Sequence, residues 1–170
     1  DLNTRFSLSG QRQPRLAGKL AFDLAPSSLD GKPLAGKGVL AVDGARLADA
    51  DLSLEMAGNR LSAKGRYGKP GDALDVHLDA PSLATLGHGL GGRLKLDGVL
   101  RGSVEHPAGE FELLGEKLGF GSLRVDTVNG RGRLAEGRSG AIALTLGLTG
   151  LGRMDEKEAL VRRASFAFDG

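Results

Sequence analysis

Apolar residues return at every second position along almost the whole chain, as in Leu94-x-Leu96-x-Gly98-x-Leu100-x-Gly102-x-Val104 and Ile142-x-Leu144-x-Leu146-x-Leu148. A strand sends successive side chains to opposite faces, so this spacing gives one apolar face and one polar face. The intervening Arg93, Lys95, Asp97, Val99, Arg101, Ser103 and Glu105 all fall on the opposite side. The pattern predicts an all-β fold built on a long antiparallel sheet with one oily face.

Strand candidates follow one another at Asn3 to Gly10, Arg15 to Ala25, Leu34 to Asp43, Asp51 to Ala57, Arg60 to Tyr67, Ala73 to Ala80, Arg93 to Glu105, Glu110 to Leu114, Ser122 to Val128, Gly132 to Leu134, Ala141 to Thr149 and Leu160 to Asp169. Turn chemistry separates them, as at Asp30-Gly31-Lys32-Pro33, Asp43-Gly44, Lys69-Pro70-Gly71-Asp72 and Asn129-Gly130. Twelve short strands joined by turns read as a meander. Pro81 to Leu86, closed by Gly87, predicts a short helical turn. Met154 to Arg163 contains good helix formers, but Leu160, Ala164, Phe166 and Phe168 keep strand parity, so a charged hairpin is expected there. Many of the 28 glycines lie inside alternating segments, in a weak repeat that puts Gly beside Leu on the apolar face (Leu16-x-Gly18-x-Leu20, Leu34-x-Gly36-x-Gly38-x-Leu40). Such glycines let a sheet curl or let something approach its backbone.

Composition excludes several functional classes. Twenty-three basic residues face 21 acidic ones, a net charge of +2, with neither a basic stripe nor aromatic stacking platforms for nucleic acid. The cluster Arg60, Lys64, Arg66 and Lys69 reads as a solvated strand face. There is no cysteine, hence no disulfide and no thiolate metal site. No run approaches the roughly 18 apolar residues of a membrane span. Leu2, Phe6 and Leu8 already alternate at the start, as expected of a piece of a longer protein.

Catalytic and cofactor signatures are weak. His77, His88 and His106 are separated by 11 and 18 residues, without a metal-ligand spacing. Gly87-His88-Gly89-Leu90-Gly91-Gly92 fits G-x-G-x-x-G, but a turn precedes it and a strand follows, the reverse of what a dinucleotide site needs. Gly130-x-Gly132-x-x-Ala135 fails in the same way. Asp23, Asp75 and Asp97 occupy solvent-face parity. No cofactor and no enzyme activity is expected, although acids from separate strands can still converge on one cleft, as in a carbohydrate-active β-solenoid.

The run from Gly38 to Val104, and its continuation from His106-Pro107 to Gly170 with GEKLGFGSLRVDTVNGRGRL and AIALTLGLTG, resembles the repeating periplasmic region of the TamB family. The resemblance covers most of the chain and rests on a diffuse pattern of Leu, Asp and Gly. It implies a β-taco, an open groove with an apolar interior, running over residues 1–170 as one segment of a much longer periplasmic protein anchored in the inner membrane. It also implies phospholipid transport between membranes, support of outer-membrane protein assembly, and a TamA-like barrel partner met through other parts of the protein. The implied lining is Leu20, Phe22, Leu24, Leu40, Val42, Leu52, Leu54, Met56, Leu74, Val76, Leu78, Leu94, Leu96, Leu100, Val104, Phe111, Leu113, Ile142, Leu144, Leu146, Leu148, Phe166 and Phe168. From composition alone, the closed core of a sandwich or barrel is the reading these residues favour, and the resemblance reverses that order. A second functional reading has the groove or a free sheet edge binding unfolded outer-membrane strands, and such an edge also permits self-association.

Overall fold

The computed structural model describes residues 3–11, 16–135, 141–156 and 158–170. Within them the chain forms β1 (Thr4–Gln11), β2 (Ala17–Leu29), β3 (Lys32–Asp43), β4 (Arg46–Met56), β5 (Asn59–Tyr67), β6 (Ala73–Ala80), β7 (Leu90–Gly102), β8 (Pro107–Phe120), β9 (Leu123–Leu134), β10 (Ile142–Arg153) and β11 (Ala159–Asp169). A single 3-10 turn, Leu83–Leu86, lies between β6 and β7 where the Pro81 segment predicted it. All eleven strands form one antiparallel sheet in sequence order, each paired only with its chain neighbours. At about 4.8 Å per strand step, the sheet is roughly 48 Å wide across its strands. The expected positions of Leu2, Arg15 and Lys157 lie outside the described residues.

Two-residue turns account for the tight returns. Asp30 and Gly31, and likewise Ala57 and Gly58, all have positive φ, as a hairpin whose turn matches the strand twist requires. The Met154 segment is a hairpin turn between β10 and β11, as its strand parity indicated. Eleven strands replace the expected twelve because Asn129-Gly130 is not a turn. Both residues sit inside β9, with Gly130 between Leu113 and Leu146 on the apolar face and Asn129 between Leu114 and Gly147 on the other. Continuous pairing on both sides of β9 outweighs the local turn preference of the dipeptide. The strand expected over Glu110–Leu114 runs on to Phe120 through a bulge at Lys117, whose φ is 50°.

Two polar clasps fix the rims of the central strands. At one, the Arg46 guanidinium donates from Nε and Nη2 to the two oxygens of Asp72, at 2.9 and 2.8 Å. The Lys69 N–H also donates to Asp72 Oδ2 at 3.0 Å, and Asp72 is 9% exposed. The Tyr67 hydroxyl donates to the Ser103 carbonyl at 3.2 Å, tying the β5 end to the turn after β7. At the opposite rim, buried Asn59 donates to the Met56 and Ala57 carbonyls and to Thr85 Oγ1, so the β4–β5 turn is held against the 3-10 turn.

The first clasp depends on ionisation. The Arg46 hydrogen bond, opposed by desolvation and aided by the Lys69 N–H, holds the Asp72 carboxyl below the usual carboxylate range. A depressed carboxylate stabilises the fold fully above its unfolded pKa, and the gain disappears as pH falls through the folded value. The difference in melting temperature between wild type and Asp72→Asn is therefore expected to be constant from neutral pH to about 4.5 and to shrink below about 4, which thermal scans across pH will measure.

Candidate functional site

The apolar face consists of side-chain rows that cross the strands in register. One row runs Phe6, Phe22, Gly38, Leu52, Ala63, Val76, Gly98, Phe111, Gly132, Leu144, Phe168. Beside it run Leu24, Gly36, Leu54, Leu61, Leu78, Leu96, Leu113, Gly130, Leu146 and Phe166. On its other side lie Leu8, Leu20, Leu40, Ala50, Gly65, Leu74, Leu100, Gly109, Leu134 and Ile142. Leu94 and Leu148 belong to a shorter row through Gly115 and Val128. Met56 pairs with Leu34, and Val42 with Gly18 and Leu47 beside a bulge in β4. Val104 does not join the face, because β7 ends at Gly102 and Val104 lies in the following turn, half exposed.

No second layer covers these rows among the described residues. Among the described residues only Ala50 and Ala80 are buried apolar side chains, and no large side chain is fully buried. Phe111, Leu144, Ile142 and Phe168 are 36%, 39%, 46% and 57% exposed. A closed sandwich core would have brought such residues below a few percent, so the sheet is open on its apolar side.

Glycines shape the floor of this face. A Cβ built at Gly38 comes within 2.7 Å of the Phe22 ring and 2.9 Å of Leu52 Cβ, and one built at Gly132 overlaps the edge of the Phe111 ring at Cε1. Each ring therefore lies flat over the strand beside it rather than standing up from the sheet, an arrangement that pairs an aromatic with a neighbouring glycine. Over β6 to β10 the face forms a cleft of about 560 Å³ lined by Val76, Leu96, Leu100, Phe111, Leu134, Ile142 and Leu144. That size lies within the roughly 300–1,000 Å³ of small-molecule sites.

The opposite face carries charge in complementary pairs: Arg60 with Glu55, Lys64 with Asp51, Arg93 with Glu116, Arg101 with Glu110 and Arg131 with Glu112. His77 Nδ1 lies 2.6 Å from Asp97 Oδ1 on the solvent face. A shallow cleft of about 530 Å³ gathers Asp75, His77, Asp97, Glu110, Glu112, Arg131 and Arg133. Acids do converge here, but Asp97, Glu110 and Glu112 are 58–70% exposed and each is engaged by a cation or imidazole. The meander also differs from the coil of a β-solenoid. Among the described residues no three His, Asp or Glu side chains are grouped to hold a metal.

Several members of the face were absent from the implied lining. Phe6 and Leu8, whose alternation is visible in the first strand, were not placed on it, and Leu61 and Ala63 sit among Arg60, Lys64 and Arg66. Leu61 shows the signal that would have found it, since it holds the parity of Leu54 and Leu78 across the Ala57-Gly58 turn. Leu118 was hidden by the Lys117 bulge, which changes parity and brings its Cδ1 to 2.6 Å from where a Gly115 Cβ would stand.

A single antiparallel sheet with one uncovered apolar face and one ion-paired face defines an open β-groove protein. Within that class the relationship is specific: residues 1–166 match the family model described as TamB, N-terminal domain, and the chain belongs to that family. No curated protein and no solved structure matches it.

The glycine arrangement separates two kinds of substitution. Gly132→Val places a branched side chain where the Phe111 ring lies and is expected to destabilise the fold by about 1–3 kcal/mol. At Gly98 the nearest neighbours of a new Cβ are Phe111 Cβ at 3.3 Å and the Glu110 carbonyl at 3.4 Å, so Gly98→Ala is expected to cost less than about 1 kcal/mol. Urea unfolding of both variants, followed by circular dichroism, measures the contrast.

Proposed function

We propose that this sheet is a stretch of lipid conduit in the bacterial envelope, whose apolar face carries the acyl chains of phospholipid moving between the inner and outer membranes. The observation that carries the reading is the uncovered apolar face, continuous in register from β1 to β11. Each acyl methylene taken from water contributes roughly 0.8 kcal/mol, so about a dozen of them supply near 10 kcal/mol before ordering costs. Leu, Val, Phe and Gly recur along the rows without a polar anchor, which lets a chain slide instead of lodging. The charged headgroup stays in water at the open side.

On this reading the chain works without catalysis, cofactor or nucleic acid, as a periplasmic segment of a protein held in the inner membrane by a part outside this sequence. Support of outer-membrane protein assembly, with a TamA-like barrel as partner, belongs to the same proposal. The family relationship supports these assignments. Among the described residues no helix is long and apolar enough to cross a membrane.

A photoreactive amino acid at Leu96 or Leu144 is expected to crosslink to phospholipid in cells, detected by mass spectrometry, whereas one at Asp97 or Thr145 on the other face is not. Leu96→Arg should lower lipid capture about tenfold or more while the fold persists, because the half-buried guanidinium reaches water along its own stem. Equal crosslinking from both faces, or undiminished capture by a folded Leu96→Arg protein, contradicts the conduit.

A further inference from the structure

Of the asparagines in the chain, Asn3, Asn59 and Asn129, only Asn129 is followed by glycine. Glycine has no side chain to shield its own amide nitrogen, so in a mobile segment the Gly130 nitrogen can reach the Asn129 carboxamide. Attack on Cγ forms a bond from that nitrogen and closes a five-membered succinimide. The carboxamide nitrogen leaves as ammonia, taking the proton of the Gly130 N–H. Water then opens the ring at one carbonyl or the other. One opening leaves aspartate, and the other leaves isoaspartate, in which the main chain runs through Cβ and Cγ. Water is the sole co-reactant.

The fold leaves one reactant free and restrains the other. Asn129 is exposed on the polar face, opposite Leu114 and Gly147, and its carboxamide makes no hydrogen bond among the described residues. Buried Asn59, by contrast, donates to three acceptors. Gly130 is buried and paired between Leu113 and Leu146. Ring closure requires the Asn129 Cβ and the Gly130 nitrogen to eclipse about the Cα–C bond, and an extended strand, with ψ of about +135°, holds them far from that arrangement. Pairing on both sides of β9 resists the rotation that would bring them together. The two products then differ in what they do to the sheet. Aspartate adds a carboxylate to a face that is already charged and keeps the alternation. Isoaspartate lengthens the main chain by one carbon, so Gly130, Gly132 and Leu134 cannot face Leu113, Phe111 and Gly109 while Val128 still faces Gly115.

We propose that Asn129 is a self-modification site held latent by strand pairing: it deamidates when β9 leaves the sheet, and the isoaspartyl product prevents β9 from recovering its register between β8 and β10. Chains that have opened there are marked by a covalent change, and their apolar face stays interrupted at β9. The inference stands on the geometry of β9 and on amide chemistry and does not rest on the lipid reading.

Peptide mapping by mass spectrometry of the chain held in warm, mildly alkaline buffer, with and without denaturing urea, tests it. Conversion at Asn129 is expected to be about tenfold or more faster in urea than in buffer, because only the opened strand reacts. Gly132→Val, which loosens the same strand, should raise the rate in buffer about fivefold or more and leave the rate in urea unchanged. That contrast separates a reaction gated by pairing from one that is slow in any conformation. The isoaspartyl chain, isolated and returned from urea to buffer, should exchange its β9 amide hydrogens much faster than the unmodified chain, whereas Asn129→Asp should refold with ordinary protection. Equal rates in buffer and urea, a destabilised Gly132→Val chain that reacts no faster in buffer, or an isoaspartyl chain whose β9 amides are as protected as the unmodified ones would overturn the proposal.

Discussion

A sheet with one apolar face has to place that face against something other than water, and among the described residues no second layer folds over it. This constraint governs the molecule. Backbone hydrogen bonds run unbroken from β1 to β11, so the main chain is satisfied within one layer. The side chains of the apolar face are not. Leu, Val and Phe side chains left partly buried or exposed along the sheet make a surface that in a monomeric soluble protein marks a binding site rather than a core.

The other features follow from keeping a single layer ordered. Ion-paired cross-strand neighbours such as Arg93–Glu116 and Arg131–Glu112 make the polar face compatible with water and add modest register specificity. Each exposed pair contributes little by itself. The Arg46–Asp72 and Asn59–Thr85 clasps matter more because they are shielded and join elements distant in sequence. Both act at the ends of the central strands, where a layer without a core has fewest other restraints. Glycine then sets the relief of the apolar face: Phe22 and Phe111 lie over Gly38 and Gly132, which keeps the rings low and the surface continuous.

Much of this was legible in the chain itself. Alternation located most strands, and Asp30-Gly31 and Asp43-Gly44 located their turns, because both signals arise from local backbone geometry. The same alternation placed all but one of the expected groove residues on a common face. Local signals failed where non-local pairing decided the outcome. Asn129-Gly130 has the composition of a turn, yet partners on both sides hold it within β9. Val104 kept the right parity in sequence but lies past the end of β7, and Leu118 lost parity at the Lys117 bulge and still joined the face. Whether the face was covered could not be read from periodicity at all. A strand in a two-layer sandwich and a strand in an open groove alternate identically, and only the absence of a second layer distinguishes them.

Leu114 provides an internal reference for the central claim, because it is a leucine of the same sheet on the opposite face, opposite Lys95 and Asn129 and 53% exposed. With leucine methyls isotopically labelled, nuclear Overhauser contacts from the acyl protons of an added phospholipid report directly which face meets the chain. Contacts are expected to Leu54, Leu78, Leu96, Leu113 and Leu146 along one row, and none to Leu114. Contacts to Leu114 as strong as those to Leu96, or none to the row, would contradict it.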